Sequence, residues 1–160
     1  MSKRNKTTVL GRLGSEVGRG MLAGAVGTSA MTTSSLIEMK LRNRPPSTVP
    51  AEVAAKVLGV EPEQDSGRFN NFVHWQYGSS LGALRGILSA VGLKDPWASS
   101  VFFVLVWAGS MLMVPRLSDS TPPASQWGPK EILLDGWHHL VYAAATSVAF
   151  STMLRARQKK

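Results

Sequence analysis

Residues 97–115 read WASSVFFVLVWAGSMLMVP and contain no charged side chain. A helix needs roughly 20 predominantly apolar residues to cross the ~30 Å hydrocarbon core of a bilayer, and this segment has that length. Three more stretches, 21–37, 69–93 and 136–154, are long and almost free of charge, with Arg85 as the exception. The pattern predicts an all-α protein, a four-helix transmembrane bundle with spans at about 20–39, 69–93, 96–115 and 132–154.

The composition leaves room for a single membrane domain over 1–160 and for no separate catalytic domain. The chain has 160 residues, and four spans with their connections account for nearly all of them. It contains no cysteine, which excludes disulfides, thiolate metal sites and cysteine nucleophiles. The sequence also lacks motifs for a serine nucleophile, a phosphate-binding loop, a zinc protease or a dinucleotide site. We therefore expect a protein that is not an enzyme and has no cofactor.

Positive charge is concentrated at the two ends of the chain. The formal net charge is +8, and of the 18 basic residues five precede the first span and four follow the last. Basic flanks are retained on the cytoplasmic side, so we expect both termini, including a basic arm at 1–19, to be cytoplasmic. Lys40, Arg42 and Arg44 follow the first span and argue for the opposite orientation. The distribution favours a membrane surface, and not nucleic acid, as the partner of this charge.

The connection between the first two spans is predicted to contain a short amphipathic helix. Pro45 and Pro46 enforce extended backbone, and Pro50 suits the first turn of a new helix over 51–58 that ends at Gly59. We expect this helix to lie on the membrane surface or to plug the mouth of the bundle, with docking of a partner as the alternative. Its apolar stripe consists of Val53, Ala54 and Val57.

Glycines recur every four residues in the second predicted span. Gly78, Gly82 and Gly86 form a ridge of small residues that lets another helix approach closely. The first span offers Gly20 and Gly24 at the same spacing. We predict that these two spans pack against each other through the two ridges.

Four ionisable side chains are predicted to lie at a similar depth near the outer ends of the spans. His74, His138 and His139 follow the starts of the second and fourth spans, and Glu38 lies at the end of the first. Ionisable groups inside a membrane are candidates for function. Histidines with carboxylates can bind a divalent metal or pass protons, and haem ligation is a further alternative. The aromatic neighbours of these histidines equally fit an interfacial belt of structural side chains.

Arg85 lies deeper, about eight residues or ~12 Å from the inner end of the second span. No acidic residue occurs near it in any predicted span. Its long side chain can snorkel to the inner headgroups. Alternatively, it reaches the phosphate of an anionic lipid or an anionic substrate, together with hydroxyl groups of the first span.

The first span and its exit also carry a family resemblance. Residues 20–28, reading GMLAGAVGT, continue to Glu38 and Met39 and then to 42–47, reading RNRPPS. This part of the chain resembles the opening of a group of small actinobacterial integral membrane proteins of uncharacterised function. The spaced glycines, a histidine on a helix and a Pro-Pro loop before Trp and His are similar to YagU-like inner-membrane proteins. The resemblance implies a bacterial plasma-membrane protein and assigns no catalytic residue.

These observations favour a multi-pass membrane protein that binds lipid or a partner protein without catalysing a reaction. The bilayer is the first expected partner, with an anionic lipid at Arg85, and a membrane-protein partner or a second copy of the chain is the next. A small transporter or proton-conducting protein that uses His74, Arg85 and the outer histidines is the main alternative. A haem- or metal-binding membrane protein is the third.

Overall fold

The structure, a computed structural model, describes residues 9–59 and 66–158, which fold into α-helices and their connections with no strand. The elements in these ranges are α1 (Val9–Arg42), α2 (Val49–Leu58), α3 (Ser66–Ala90), α4 (Trp97–Leu117), a 3-10 turn at Ala124–Gln126, and α5 (Pro129–Gln158). The all-α prediction is therefore confirmed for the described residues. Basic residues of the chain ends that lie outside them are Lys3, Arg4, Lys6, Lys159 and Lys160.

Four of the helices coincide with the predicted spans, but they differ in polarity. Within the described residues, α4 alone is both long enough and apolar enough to cross a membrane. α1 carries a run of hydroxyl residues over 28–35, and α3 contains several amide and ionisable side chains, including Arg85. α1 also begins at Val9, so the predicted arm at 1–19 is helical from that residue onwards. Length and composition thus support one of the four predicted spans.

The closest helix pair is α1 with α3, which run antiparallel and touch through their glycines. A Cβ placed on Gly82 would collide with the carbonyl oxygen of Gly20 and would lie 2.6 Å from Cα of Gly24. A Cβ placed on Gly86 would collide with the carbonyl oxygen of Glu16. Glycine is required along this line because the two backbones are in direct contact. The contact also explains why α1 is helical before residue 20, since Glu16 already packs on α3.

α5 packs on α1 at another glycine. A Cβ placed on Gly27 would collide with the hydroxyl oxygen of Thr146 and would lie 2.8 Å from the carbonyl oxygen of Tyr142. Tyr142 is 2% exposed and donates its hydroxyl hydrogen to the carbonyl oxygen of Gly78 on α3 at 2.6 Å. α1 therefore contacts both α3 and α5, and a buried side chain of α5 reaches across to α3.

α4 lies at the periphery of the bundle and packs mainly on α5. The rings of Phe102 and Tyr142 pack with their centroids 5.8 Å apart. Most of the remaining apolar surface of α4 faces outwards, with Val104 56%, Leu112 58% and Met113 53% exposed. The buried apolar core that joins the two helices consists of Phe102, Val106, Tyr142 and Ala143.

The short helix of the first connection is present as α2, with Pro50 in its first turn. Gly59, at φ 67°, ends the helix by donating its N–H to the carbonyl oxygen of Ala55. Ala51 and Ala55 are buried, whereas Val57 is 66% exposed. The two small alanines allow α2 to approach the bundle, so the packed face is not the apolar stripe that contains Val57.

We expect Gly82→Ala to destabilise the protein, because the added methyl group meets backbone atoms that cannot move aside. Overpacking of this kind costs about 1–3 kcal/mol. Gly18→Ala in α1 is the matched control, because a Cβ there meets nothing within 4 Å. Alanine is favoured over glycine in a helix by about 0.5–1 kcal/mol, so the control should be neutral or stabilising. Thermal unfolding in mild detergent measures both, and an unchanged midpoint for Gly82→Ala would contradict the backbone contact.

Candidate functional site

Polar side chains are concentrated inside the bundle, and many large apolar side chains lie outside. Arg85 is 2% exposed, whereas Val148 on α5 is 68% exposed. Charged side chains are almost never fully buried unless they are paired, so each buried one needs a partner. The buried polar and charged residues are Glu16, Thr28, Glu38, Arg85, Ser118, His138, His139, Thr146 and Ser147.

One group of polar residues, here named the Asp95 cluster, connects α3, α4 and α5 around the buried arginine. Arg85 donates from Nη2 to both carboxylate oxygens of Asp95, each at 2.9 Å. Its Nε donates to the hydroxyl oxygen of Ser147 on α5 at 3.3 Å. The guanidinium carbon lies 4.7 Å from the ring centroid of Phe150, a distance typical of cation–π contacts. The guanidinium of Arg85 is therefore hydrogen-bonded at its edge by Asp95 and Ser147, and its face packs on the ring of Phe150.

Asp95, in the turn between α3 and α4, accepts further hydrogen bonds. The Ser99 hydroxyl donates to Oδ1 at 2.6 Å, and the Ser151 hydroxyl donates to Oδ2 at 3.1 Å. Burial opposes ionisation of this carboxyl group, but the hydrogen bond from Ser99 and the positive charge of Arg85 outweigh it, so the pKa of Asp95 lies below its ordinary value. Asp95 is therefore ionised at neutral pH, with each oxygen accepting two hydrogen bonds.

A cleft of about 260 Å³ opens beside the Asp95 cluster, between the start of α4 and the last turns of α5. The exposed residue Arg155 is one of the residues that line it, and no side chain within the described part of the chain pairs with its guanidinium group. Besides Asp95 and Arg155, the walls contain Ser99, Ser147, Val148, Ser151 and Thr152. A cleft with several hydroxyl groups and an unpaired cation can bind an anionic group.

The structure places Arg85 differently from the sequence expectations. No acid lies near it within a predicted span, but Asp95 reaches it from the turn after α3. The side chain of Arg85 is only 3% exposed, so it is buried and does not extend to the surface as snorkelling requires. Asp95 and Ser147 bind Nη2 and Nε of Arg85, and among the residues that line the cleft the exposed cation is Arg155.

The predicted outer histidines are divided between two sides of α1. Thr32 Oγ1 lies 3.2 Å from Nε2 of His74 on α3, and Ser34 Oγ lies 2.9 Å from Nδ1 of His138 on α5. Residues two apart on a helix project about 200° apart, so these two contacts point in different directions. Each pair joins α1 to a neighbouring helix through a hydroxyl and an imidazole.

His139 is paired separately, near α4. Its Nδ1 lies 3.4 Å from Oδ2 of Asp135, and the same carboxylate oxygen accepts the indole hydrogen of Trp107 at 2.9 Å. Within residues 9–59 and 66–158, no three histidine, cysteine, aspartate or glutamate residues are placed to hold a metal ion. A functional site among Glu38, His74, His138 and His139 stays a prediction.

Glu38 lies at the same end of α1 and is paired with two arginines. Arg42 Nη1 donates to its Oε1 at 3.0 Å, and Arg44 Nη2 donates to its Oε2 at 2.7 Å. Arg42 also lies 3.7 Å from a carboxylate oxygen of Glu131 at the start of α5. Glu38 therefore links the end of α1 to the following loop, which is a structural role.

Sequence reasoning missed a further carboxylate, Glu52 of α2. The hydroxyls of Ser118 and Ser120 donate to its Oε2, each at 2.7 Å, and the Thr48 hydroxyl donates to its Oε1 at 2.7 Å. The hydrogen bonds from Ser118, Thr48 and Ser120 lower the pKa of Glu52 to about 2. Thr48 four residues before an acid is a local signal, but the serines that follow α4 are remote in sequence and give none.

Comparison of the chain with protein-family models, curated proteins and solved structures gives no match. The resemblance to small actinobacterial membrane proteins and to YagU-like proteins stays a prediction. The fold and the site define an all-α protein with buried polar clusters and an apolar helix at its periphery.

We expect Asp95→Asn to destabilise the protein, because it leaves the buried charge of Arg85 without a counterion. Breaking a fully buried pair costs about 3–5 kcal/mol, and the half-exposed side chain of Asp95 reduces this to about 1–3 kcal/mol. The double variant Arg85→Leu with Asp95→Asn removes the charge as well and should recover part of the loss. Asp119→Asn is the matched control, because Asp119 is 95% exposed in its pair with Lys56. Equal unfolding midpoints for Asp95→Asn and Asp119→Asn would contradict this role.

Proposed function

We propose that the chain is an integral membrane protein whose helices α1, α3, α4 and α5 cross the bilayer, and that it binds lipid without catalysing a reaction. The observation that carries the proposal is the distribution of polarity across the bundle. Only 17% of the most apolar 18-residue stretch of α4 is buried within the bundle, so most apolar side chains of this helix face away from the protein. A surface of this kind on a soluble monomer would be an unusually large apolar patch, whereas hydrocarbon solvates it.

The polarity of α1, α3 and α5 is compatible with this proposal, because many of their polar groups are satisfied inside the bundle. Thr28 of α1 donates its hydroxyl hydrogen to the carbonyl oxygen of Gly24 at 2.8 Å, and Arg85 of α3 is paired with Asp95. Such bonds are what buried polar groups require in hydrocarbon. The three helices have 34, 25 and 30 residues, which exceeds the roughly 20 needed to span.

The lipid-binding part of the proposal is supported by the cleft beside the Asp95 cluster. The cleft combines an unpaired guanidinium, four hydroxyl side chains and one apolar side chain, Val148. Basic groups at the cytoplasmic end of a membrane helix attract anionic headgroups. The basic chain ends favour a cytoplasmic location for this end of the bundle.

Topology is testable with single cysteines, because the natural chain contains none and gives no background labelling. Ser125→Cys lies in the connection between α4 and α5, and Ala156→Cys lies near the end of α5; both positions are exposed. A membrane-impermeant maleimide added to intact cells should label Ser125→Cys and should label Ala156→Cys only after permeabilisation. Labelling of both positions from the same side of the membrane would show that α5 does not cross the bilayer. Release of the protein by alkaline carbonate would contradict membrane insertion altogether.

A proton-conducting function is the second candidate, favoured by a line of polar side chains along α5. Four of its members contact α1 or α3, with Ser34 beside His138 and Arg85 beside Ser147, and the fifth, Ser151, contacts Asp95. At 1.5 Å per residue the line extends over about 20 Å of the helix axis. It consists of His138, Tyr142, Thr146, Ser147 and Ser151.

Proton flux into liposomes tests this second candidate. Vesicles with an internal pH dye and a potassium-diffusion potential should acidify faster with the protein than without it. His138→Gln should reduce the rate several-fold, because glutamine keeps the contact with Ser34 but cannot titrate. His74→Gln is the matched comparison, since His74 lies on the α3 side of α1. Flux equal to that of protein-free vesicles would exclude proton conduction and leave the lipid-binding proposal in place.

A further inference from the structure

We infer that the cleft beside the Asp95 cluster binds the headgroup of an anionic phospholipid that carries hydroxyl groups, such as phosphatidylglycerol. The inference rests on the proposed membrane location and names the ligand of that site. The cleft volume of about 260 Å³ suits part of a small headgroup, with the remainder in the surrounding interface.

The charges of the cleft favour an anion. Arg85 and Arg155 carry two positive charges, and Asp95 carries one negative charge, which leaves one positive charge in excess. Arg85 lies behind the cleft and is neutralised by Asp95, whereas Arg155 is exposed on its wall. A phosphodiester has one negative charge and matches the excess, and its two free oxygens fit the fork of a guanidinium.

The donor groups of the cleft point to the same ligand. Arg155 has its guanidinium N–H groups available, and Ser147 accepts from Arg85 Nε and keeps its own hydroxyl hydrogen. Both groups can donate to phosphodiester oxygens. A buried serine whose oxygen is occupied by a cation is a good donor, because the bond to Arg85 polarises its hydroxyl.

The remaining hydroxyl side chains can only accept. Ser99 and Ser151 donate their hydrogens to Asp95, and Thr152 donates to the carbonyl oxygen of Val148 at 2.8 Å. Each oxygen keeps lone pairs that face no described donor, so these oxygens can accept hydrogen bonds from a ligand. The hydroxyl groups of a glycerol headgroup provide such donors beside the phosphate.

An ammonium headgroup also brings hydrogens for these oxygens, but the charges of the cleft fit it less well. Its natural counterion would be Asp95, but both oxygens of that carboxylate already accept two hydrogen bonds each. A carboxylate has about four lone-pair sites, so none is left for an ammonium group. The excess positive charge of the cleft also disfavours a further cation.

An apolar path leads from the cleft along α5. Val148 lines the cleft and is 68% exposed, and Ala144, one turn closer to the middle of the helix, is exposed as well. Residues four apart lie on the same helix face, so these side chains form a continuous strip. An acyl chain can lie on this strip while its headgroup occupies the cleft.

The test compares lipids on the wild-type protein by native mass spectrometry from a neutral detergent. The probes are phosphatidylglycerol, phosphatidylethanolamine and phosphatidylethanol, the last an anionic phosphodiester without headgroup hydroxyls. We expect phosphatidylglycerol to bind about ten-fold more tightly than phosphatidylethanolamine, which corresponds to about 1.4 kcal/mol. It should also bind several-fold more tightly than phosphatidylethanol. Free glycerol phosphate serves as a probe for binding of the headgroup without chains.

Arg155→Gln should lower the affinity for phosphatidylglycerol about ten-fold, because it removes a charge-assisted hydrogen bond to the phosphate. Arg116→Gln is the matched control, since Arg116 lies at the far end of α4 and donates to the carbonyl oxygen of Leu112 on its own helix. Equal binding of phosphatidylglycerol and phosphatidylethanolamine, or equal effects of the two variants, would overturn the inference. Equal affinities for phosphatidylglycerol and phosphatidylethanol would contradict the role that the inference gives to the hydroxyl groups of the headgroup.

The cysteine-labelling experiment separates failure of this inference from failure of the proposed membrane location. A protein that shows the expected labelling but no lipid preference is a membrane protein without this headgroup site. A protein released by carbonate refutes both. Tight binding of glycerol phosphate alone would identify a soluble phosphate ester, and not a lipid, as the ligand and would contradict the inference.

Discussion

The direct contact between the backbones of α1 and α3 is the constraint on which the rest of the bundle depends. A Cβ at Gly20 or Gly82 would collide with the facing backbone, so no side chain can lie between the helices along this line. The residues beside the glycines must therefore project to the flanks of the pair. Arg85 is adjacent to Gly86, and its guanidinium accordingly points towards α5, where it meets Ser147. The position of the buried charge is thus a consequence of the glycine register.

A buried guanidinium imposes requirements on the elements around it. The turn after α3 must return Asp95 to within 2.9 Å, and α5 must present Ser147 and Phe150 to the remaining edge and face. The same carboxylate is held by Ser99 of α4 and Ser151 of α5. Because these bonds join three helices, the Asp95 cluster fixes the peripheral helix α4 to a bundle whose central contact lies elsewhere. The cleft lies beside this junction.

The sequence predicts features that depend on position along one helix and fails for those that depend on direction around it. The four long helices follow from the length of the uncharged stretches, and the contact of Gly82 with Gly20 follows from the four-residue spacing of the glycines; both signals are local. The sequence predicts a similar depth for His74 and His138, and the structure shows that they reach α1 at Thr32 and Ser34, on different sides of that helix. Residue count gives height along the axis, whereas direction is set by packing angles that no local pattern encodes. The contact of Asp95 with Arg85 has another origin: Asp95 lies in the turn after α3, and no pattern within a helix shows where a turn residue reaches.

Composition measures the whole helix, whereas a bilayer contacts only its outer face. α4 is apolar enough to cross a membrane because it is peripheral and has few polar groups to bury. Phe102 and Val106 lie on its packed side. α1 is the opposite case: its close contacts with α3 and α5 require glycines such as Gly20 and Gly27, which lower the average hydropathy of the whole helix. Thr28 is 1% exposed and bonded to its own helix, so it contributes polarity to the count but little to the surface. An average over a whole helix therefore describes the exposed face of a central helix less well than that of a peripheral one.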